Sequence, residues 1–192
     1  MRFQKLHVRK FRCARCLPWI ISTMVYAVCA QGAETATEET FRAPDASRIK
    51  AGLDALGIED GWHIVVGDEH DVVEQTAAEE LQRFLAQAGL TASVAPESQA
   101  PGSRRFLLGR LANLEALREP AAAGVVRIGD VSAEDDGFHL TRAGEDIVVA
   151  GANPRGVLYG VYAFEDFVTA GASGPLDIRK VPQIAARFYS VP

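Results

Sequence analysis

The densest group of side chains that could do chemistry is the run Asp68-Glu69-His70-Asp71, between an apolar segment and an amphipathic one. Carboxylates and imidazole are common metal ligands, so one interpretation is a metal loop at a strand end. Metal ligands must converge in space, however, and adjacent residues rarely do so. Acids are also favoured at helix N-termini, and we therefore interpret the run as a polar strand-to-helix turn.

Two pairs of adjacent carboxylates, Asp135-Asp136 and Glu165-Asp166, bring glycoside hydrolysis into consideration. That chemistry needs two carboxyl groups on opposite sides of one bond, about 5–10 Å apart. Neighbours on a helix project about 100° apart, so neither pair can flank a substrate. We place the first pair in a turn and the second on a helix surface. No catalytic, cofactor-binding or metal-ligating residue is predicted.

Other chemical motifs give no further site. The sequence has no GxxxxGK[ST] phosphate loop, no GxGxxG after a strand, no GxSxG elbow and no HExxH helix. His63 falls in an apolar strand and is predicted to pack there. His139 alternates with Phe138 and Leu140, so it faces the opposite side of its strand. We predict that His139 lies on the sheet surface.

The most distinctive stretch is Gly151–Tyr162, GANPRGVLYGVY. Gly156 and Gly160 are four residues apart and share a helix face. Because glycine weakens a helix, we expect close approach to a sheet or to a second domain. Arg155 lies in the first turn, where the helix dipole disfavours a cation, and we expect a salt bridge to an acid rather than contact with a ligand carboxylate. The predicted interdomain packing residues are Arg155, Gly156, Tyr159 and Gly160.

The charge distribution excludes some partners. The 192 residues carry 20 Lys/Arg and 25 Asp/Glu, a net charge of −5, with 48% hydrophobic residues. Residues 1–30 hold six of the basic residues and no acid, which leaves 14 basic and 25 acidic residues, a net of −11, in 31–192. A body this acidic favours neither nucleic acid nor an anionic membrane surface as a partner.

Residues 1–30 have the pattern of a signal peptide: a basic start, an apolar run from Leu17 to Ala30, and a small-residue cleavage site before Gln31. The run has 14 residues, whereas a membrane span needs about 20. We therefore predict export to the periplasm or the extracellular space. A retained membrane anchor and a lipid on Cys29 are the alternatives. The leader contains all three cysteines, Cys13, Cys16 and Cys29.

In the remaining sequence we predict a tether (31–46), a domain (47–178) and the start of a linker or barrel strand (179–192). Apolar periodicity and turn residues predict an α+β fold, with a single mixed β-sheet of about five strands and helices packed mainly on one face. A short helix through Leu111, Leu114 and Leu117 is predicted to end at Pro120. The predicted elements are helix 47–56, strand 62–67, helix 71–88, strand 91–95, strand 105–109, hairpin 138–150, a helix from 153 to about 168, and an extended segment 178–184.

The segment Asp136–Val168 resembles the non-catalytic N-terminal domain of bacterial alpha-glucuronidases, and the related domain of beta-N-acetylhexosaminidases. Val72–Leu90 matches that domain's first helix, and Arg105–Arg110 its middle strand. The resemblance covers about residues 61–189. It implies a mixed sheet with helices mainly on one side.

In that family a (β/α)8 barrel follows and holds the catalytic carboxylates, and about 200 more residues would be needed for one here. The expected function is therefore an exported, non-catalytic accessory domain of a polysaccharide-degrading glycoside hydrolase, such as one acting in xylan catabolism. Its partner would be a barrel, in cis or in trans, and no cofactor is implied. The alternative is a free-standing carbohydrate-binding or assembly module, with Tyr159, Tyr162 or Tyr189 stacking on sugars. A metal-dependent enzyme using Asp68–Asp71 is a third hypothesis.

Overall fold

The computed structural model of the protein describes residues 45–181. The predicted signal peptide, nearly all of the tether and residues 182–192 lie outside the described residues. Among residues 45–181, no helix is long and apolar enough to cross a membrane. The described elements are α1 (Ala46–Ala55), β1 (His63–Val66), α2 (Val72–Gln87), β2 (Ser93–Pro96), β3 (Arg105–Gly109), α3 (Arg118–Ala122), β4 (Phe138–Ala143), β5 (Asp146–Gly151), α4 (Pro154–Thr169) and β6 (Asp177–Lys180), with 3-10 turns at Glu97–Gln99 and Glu115–Leu117.

The strands form one mixed sheet in the order β2-β1-β3-β5-β4-β6. β1 pairs in parallel with β2 and β3, and β3 pairs in parallel with β5. β4 is antiparallel to both β5 and β6. The predicted α+β class and mixed sheet are confirmed. The sixth strand, β6, begins one residue before the predicted extended segment 178–184. It runs to Lys180, two residues past the predicted end of the domain at residue 178.

The two long helices after β1 and β5 begin at side-chain caps. Asp71 Oδ1 accepts from Val73 N at 2.8 Å, and Asp71 N donates to Glu74 Oε2 at 2.8 Å, which completes a capping box at α2. Asn153 Oδ1 accepts from Gly156 N at 2.8 Å at the start of α4, with proline in the first turn. These caps fix the helix starts beside the carboxyl ends of β1 and β5.

Both faces of the sheet are covered. The face that carries α1, α2 and α4 holds the larger apolar cluster, with Phe106 and Phe164 among its largest buried side chains. The opposite face is covered by α3, by the turn before it and by the segment around Val126 and Ile128. The prediction of helices mainly on one face is confirmed, since the three longer helices share a side.

The structure corrects the predicted helix through Leu111, Leu114 and Leu117. Only a single 3-10 turn covers Glu115–Leu117, and Pro120 lies inside α3 instead of ending a helix before it. Proline is tolerated there because amide groups in the first turn of a helix need no carbonyl partner. Leu114 and Leu117 are buried in the apolar cluster on the face that α3 covers. Their spacing of three residues therefore places both side chains in the core from a single 3-10 turn.

Candidate functional site

The glycines of α4 lie against the domain's own sheet. Gly156 and Gly160 are both buried. A Cβ on Gly160 would overlap Val149 Cγ1 on β5, and a Cβ on Gly156 would overlap the carbonyl oxygen of Gly137 before β4. The close approach expected from the sequence is therefore made to the sheet, the first of the two alternatives. The face predicted for interdomain packing is covered by the β4–β5 hairpin.

Arg155 and Tyr159 are the other two residues predicted for interdomain packing, and they differ in solvent exposure. The Arg155 side chain is 63% exposed, and its Nε lies 3.0 Å from Asp136 Oδ1. Asn153 Nδ2 donates to the same oxygen at 3.1 Å. The predicted salt bridge to an acid of this chain is confirmed. Tyr159 is half-buried against the larger core cluster. Contact of these two residues with a second domain stays a prediction.

The acidic run after β1 is the turn expected from the sequence. Asp68 Oδ1 accepts from Ser98 N at 3.1 Å and from Ser98 Oγ at 2.9 Å, which joins the turns after β1 and β2. His70 Nδ1 lies 2.9 Å from the carbonyl oxygen of Gly67, and Asp71 caps α2. Among residues 45–181, no group of three or more His, Cys, Asp or Glu is arranged to hold a metal ion.

Beside this turn lies a buried ion pair that sequence reasoning missed. Glu74 has no solvent exposure, and its Oε1 accepts from Arg110 Nε at 2.9 Å. Its Oε2 accepts from Asn113 Nδ2 at 2.8 Å, in addition to the Asp71 amide. Arg110 and Asn113 follow β3 and are 36 and 39 residues away in sequence. No local pattern could identify them as partners.

This ion pair lies beside the place where open α/β sheets usually bind ligands. The connections from β1 and β3 leave in opposite directions, and ligands typically enter the crevice at the carboxyl ends of such strands. Here a Cβ on Gly67 would overlap the backbone oxygen of Asn113, and Gly109 is packed against Leu114 and Asn113. The segment after β3 thus packs against the carboxyl ends of β1 and β3, and the ion pair helps to hold it there.

His139 differs from its prediction. It faces away from Phe138 and Leu140 as expected, yet it has no solvent exposure. Its Nδ1 accepts from Arg127 N at 2.9 Å, and its Nε2 lies 2.6 Å from Asp177 Oδ1. The segment around Val126 and Ile128 covers this face of the sheet, and an alternating strand pattern cannot show that covering. His139 is therefore a buried connector between β4, β6 and the segment above them.

The adjacent acid pairs form no opposed carboxyl pair. Asp136 is held by Arg155 and Asn153 near the start of α4. Glu165 is partly buried on α4, and the loss of hydration raises its pKa to about 7, with Glu80 and Asp166 adding repulsion and Arg83 opposing it. The prediction of a turn and a helix surface agrees with these positions.

Two of the three tyrosines proposed for sugar stacking, Tyr159 and Tyr162, lie on α4, and the stacking itself stays a prediction. Tyr162 is 41% exposed on α4. Tyr159 is half-buried against the core, and Tyr189 lies outside the described residues.

A family model described as the glycosyl hydrolase family 67 N-terminus matches residues 59–164, more than half of the chain. The match runs from just before β1 into α4 and includes the capping box, the buried ion pair and the β4–β5 hairpin. The chain belongs to this family of glycoside hydrolase N-terminal domains. The resemblance to the alpha-glucuronidase N-terminus is thereby confirmed.

Three solved structures are similar to this chain at low sequence identity. A GH138 enzyme targeting pectin rhamnogalacturonan II is 16% identical with a TM-score of 0.45, covering 66% of this chain and 12% of that one. BtGH115A, a GH115 4-O-methyl-alpha-glucuronidase with specificity for decorated arabinogalactans, is 19% identical with a TM-score of 0.42, covering 58% and 14%. CpGH84D is 15% identical with a TM-score of 0.44, covering 64% and 20%.

This chain thus spans at most a fifth of the length of these three structures. A search of the curated proteins finds no match.

Proposed function

We propose that this chain is the accessory N-terminal domain of an exported, alpha-glucuronidase-type glycoside hydrolase that acts on polysaccharides. It supports a (β/α)8 catalytic barrel and hydrolyses nothing by itself. The observation that carries the proposal is the family match over residues 59–164, which spans β1 to β5 and most of α4. Five of the six strands of the described sheet, all except β6, therefore lie within the match to this family of N-terminal domains.

The roles of the buried carboxylates support this proposal. Glu74 is bound by Arg110 and Asn113. Asp146 accepts from Arg105 N at 2.9 Å and from Arg105 Nη2 at 2.6 Å. A glycosidase needs one carboxyl group free to protonate the leaving oxygen and another facing the anomeric carbon. Acids committed to cations and amides inside a domain serve stability instead.

The contacts of the last described strand support a proposal for where a barrel would pack. β6 is antiparallel to β4, and Lys180 pairs with Phe138. Phe138 directly follows Gly137, whose carbonyl oxygen lies against Gly156 at the start of α4. The end of β6 is thus connected through Phe138 and Gly137 to the start of α4, where Arg155 is exposed. We propose the N-terminal end of α4, with Arg155 at its surface, as part of the barrel contact.

A hydrolysis assay tests the absence of activity. We expect the full chain, incubated with 4-O-methylglucuronoxylan oligosaccharides, to release no more uronic acid than a heat-denatured sample. A family 67 alpha-glucuronidase serves as the positive control. Release above the denatured sample would contradict a purely accessory role.

A pair of variants tests the proposed contact. Arg155→Gln should weaken binding to a family 67 catalytic barrel that lacks its own N-terminal domain, measured by surface plasmon resonance. Arg118→Gln is the matched control, because Arg118 also lies at the start of a helix, is 63% exposed and pairs with an acid of its own chain. Equal affinities of the two variants would exclude Arg155 from the contact.

Export is the part of the proposal that rests on residues 1–30 alone. Cleavage after Ala30 would give a mature protein beginning at Gln31. Mass spectrometry of the protein from the periplasm or medium of an expressing bacterium should find that N-terminus. An intact Met1 terminus in the cytoplasm would oppose export.

A further inference from the structure

An irregular segment, residues 126–130, covers part of the sheet face opposite the three longer helices, and we call it the cover segment. It contains no helix or strand. Val126 and Ile128 are only 4% and 3% exposed, and both belong to the apolar cluster on that face. Within residues 45–181, no backbone-to-backbone hydrogen bond joins the cover segment to a strand. Its hold on the sheet therefore depends on side chains.

His139 on β4 lies against the cover segment with both ring nitrogens in use. The residue has no solvent exposure. Its Nδ1 lies 2.9 Å from Arg127 N, and its Nε2 lies 2.6 Å from Asp177 Oδ1. Because a backbone amide can only donate, Nδ1 must be the nitrogen without a hydrogen, and Nε2 must donate to Asp177. The imidazole is therefore neutral in this arrangement.

Two cations and two acids surround the ring. Arg179 lies directly opposite His139 on β6, and its Nε donates to Arg127 O at 2.8 Å. Arg127 Nη2 lies 3.0 and 2.8 Å from the two carboxylate oxygens of Asp177, and Arg179 Nη2 lies 2.6 Å from Asp130 Oδ2. The β5 residue beside His139 is an alanine and adds no charge. Both acids are thus already paired with an arginine, and a charged imidazole would be a third cation.

Protonation would break the hold of His139 on the cover segment. The proton would enter at Nδ1, where it would point at the hydrogen of Arg127 N. Two donors cannot share a hydrogen bond, and a buried charge needs a partner of its own. The hydrogen bond from His139 and the Arg127 guanidinium hold the pKa of Asp177 below its usual range. Asp177 therefore stays ionised in mild acid, and the imidazole is the group that changes charge.

Opening of the cover segment removes this obstacle. Imidazole in water ordinarily gains its charge between pH 8 and pH 5. The open form then binds one proton more than the closed form, so the closed form is favoured at high pH and loses stability as the pH falls. The exposed ion pairs to Asp177 and Asp130 contribute little on their own.

We propose that His139 makes the cover segment an acid-released flap. Protonation of the ring at Nδ1 frees residues 126–130 and uncovers the apolar cluster on that face of the sheet. The strand residues that would be uncovered include Leu107, Val148 and Ala150. The change takes place within this domain, so the inference goes beyond the proposed accessory role and does not depend on it.

Hydrogen exchange of the Arg127 amide, followed by nuclear magnetic resonance in the full chain, tests the flap. The protection factor relates each observed rate to the intrinsic rate at the same pH. We expect the protection factor of Arg127 to fall about 30-fold from pH 8 to pH 5, the value for an imidazole that charges only in the open form. The Ala152 amide, which donates to Gly137 O at 2.9 Å, is the internal control. Its protection should not fall at pH 5.

Two variants identify the group that takes up the proton. His139→Asn keeps an acceptor near the position of Nδ1 but cannot become charged, so the protection of Arg127 should no longer depend on pH. His63→Asn is the matched control: His63 contacts Ser93 and lies on β1, three strands away from β4. This variant should keep the pH dependence of the parent protein.

The ring nitrogens of His139 give a measurement that needs no variant, should His139→Asn fail to fold. Nitrogen-15 signals should show Nδ1 gaining its proton only as Arg127 loses protection. The proposal is overturned if Arg127 keeps its protection at pH 5, if Ala152 loses protection equally, or if the ring charges while Arg127 stays protected. A pH-dependent loss that persists in folded His139→Asn would also overturn it.

Discussion

Glu74 is the most deeply buried carboxylate among residues 45–181, and it has hydrogen-bond partners in two segments of the fold. It closes the capping box of α2 with the Asp71 amide and accepts from Arg110 and Asn113 beyond β3. A buried charge is tolerated only when it is paired and fully hydrogen-bonded. This single side chain therefore fixes the start of α2 against the segment that follows β3.

Glu74→Gln is expected to lower the free energy of unfolding by about 2–3 kcal/mol, because it leaves the Arg110 guanidinium without its counter-charge and turns an amide donor toward it. Urea denaturation measures the effect. Glu79→Gln on the same helix is the control: Glu79 is exposed and accepts only from Gln75, so it should change by less than about 0.5 kcal/mol. Equal losses in both variants would refute the role of the pair.

Glu165 predicts a pH dependence. Its pKa is raised from 4.5 to about 7, first by burial and then by Glu80 and Asp166. Between about pH 4.5 and pH 7, Glu165 is therefore protonated in the folded protein and ionised in the unfolded chain. The stabilisation is fully present below pH 4.5 and is lost as the pH rises through 7.

Glu165→Gln should remove this dependence, so that its melting temperature relative to the parent protein rises between pH 5 and pH 8. Differential scanning calorimetry at the two pH values gives the measurement. Glu119→Gln, an exposed acid on α3, should leave the pH profile of the parent protein unchanged. A constant difference between Glu165→Gln and the parent would contradict the raised pKa.

Local chemistry at single residues was predictable where both partners are close in sequence. The strand-to-helix turn at Asp68–Asp71 and the salt bridge of Arg155 to Asp136 were expected, and both depend on residues near the start of their own helix. The burial of His139 and the Glu74–Arg110 pair did not follow, since each depends on a segment brought in from elsewhere in the chain. The buried indole N–H of Trp62 likewise lacks an acceptor among residues 45–181 for reasons that only the assembled packing reveals.

At the scale of elements, α4 packs closely on the β4–β5 hairpin because two glycines face it. A side chain at Gly160 would overlap Val149. Each glycine weakens the helix, and the tight contact with the sheet offsets that loss. The sequence indicated the shared glycine face, although it left open whether a sheet or a second domain covers it.

Gly160→Ala should destabilise the domain by about 1–2 kcal/mol, since overpacking outweighs the better helix propensity of alanine. Thermal unfolding followed by circular dichroism tests this. Gly102→Ala is the control, because a Cβ there meets no atom within 4 Å. If the Gly160→Ala protein is as stable as the parent, the contact between α4 and β5 can accommodate a methyl group, which would contradict the prediction.

The α3 region shows the limit of apolar spacing. Leucines at intervals of three fit one face of a helix, yet they fit a 3-10 turn that buries the same side chains equally well. Glu97, which follows β2, stabilises the 3-10 turn Glu115–Leu117. Its Oε2 accepts from Glu115 N at 2.9 Å, and its Oε1 accepts from Ala116 N at 2.5 Å. Such a cap, supplied by the loop after β2, has no signal near the leucines.

At the scale of the whole molecule, the described part of the chain is a mixed sheet covered on both faces, and the segment after β3 packs against the ends of β1 and β3. The α+β class and the bias of helices to one face follow from periodicity, because long amphipathic helices alternate with short apolar strands. The cover on the second face was not predictable, since α3 and the segment around Ile128 lack a regular pattern. The accessory role follows from the family and not from any one residue.

The melting temperature of a family 67 catalytic barrel lacking its own N-terminal domain, measured with and without this chain, tests the central claim most directly. Binding to the folded barrel must stabilise it by mass action, by about 2.7 kcal/mol when the chain is present at 100 times its dissociation constant. We predict that the barrel melts at least about 3 °C higher with the chain. An unchanged melting temperature at saturating concentrations of this chain would contradict its role as a supporting domain.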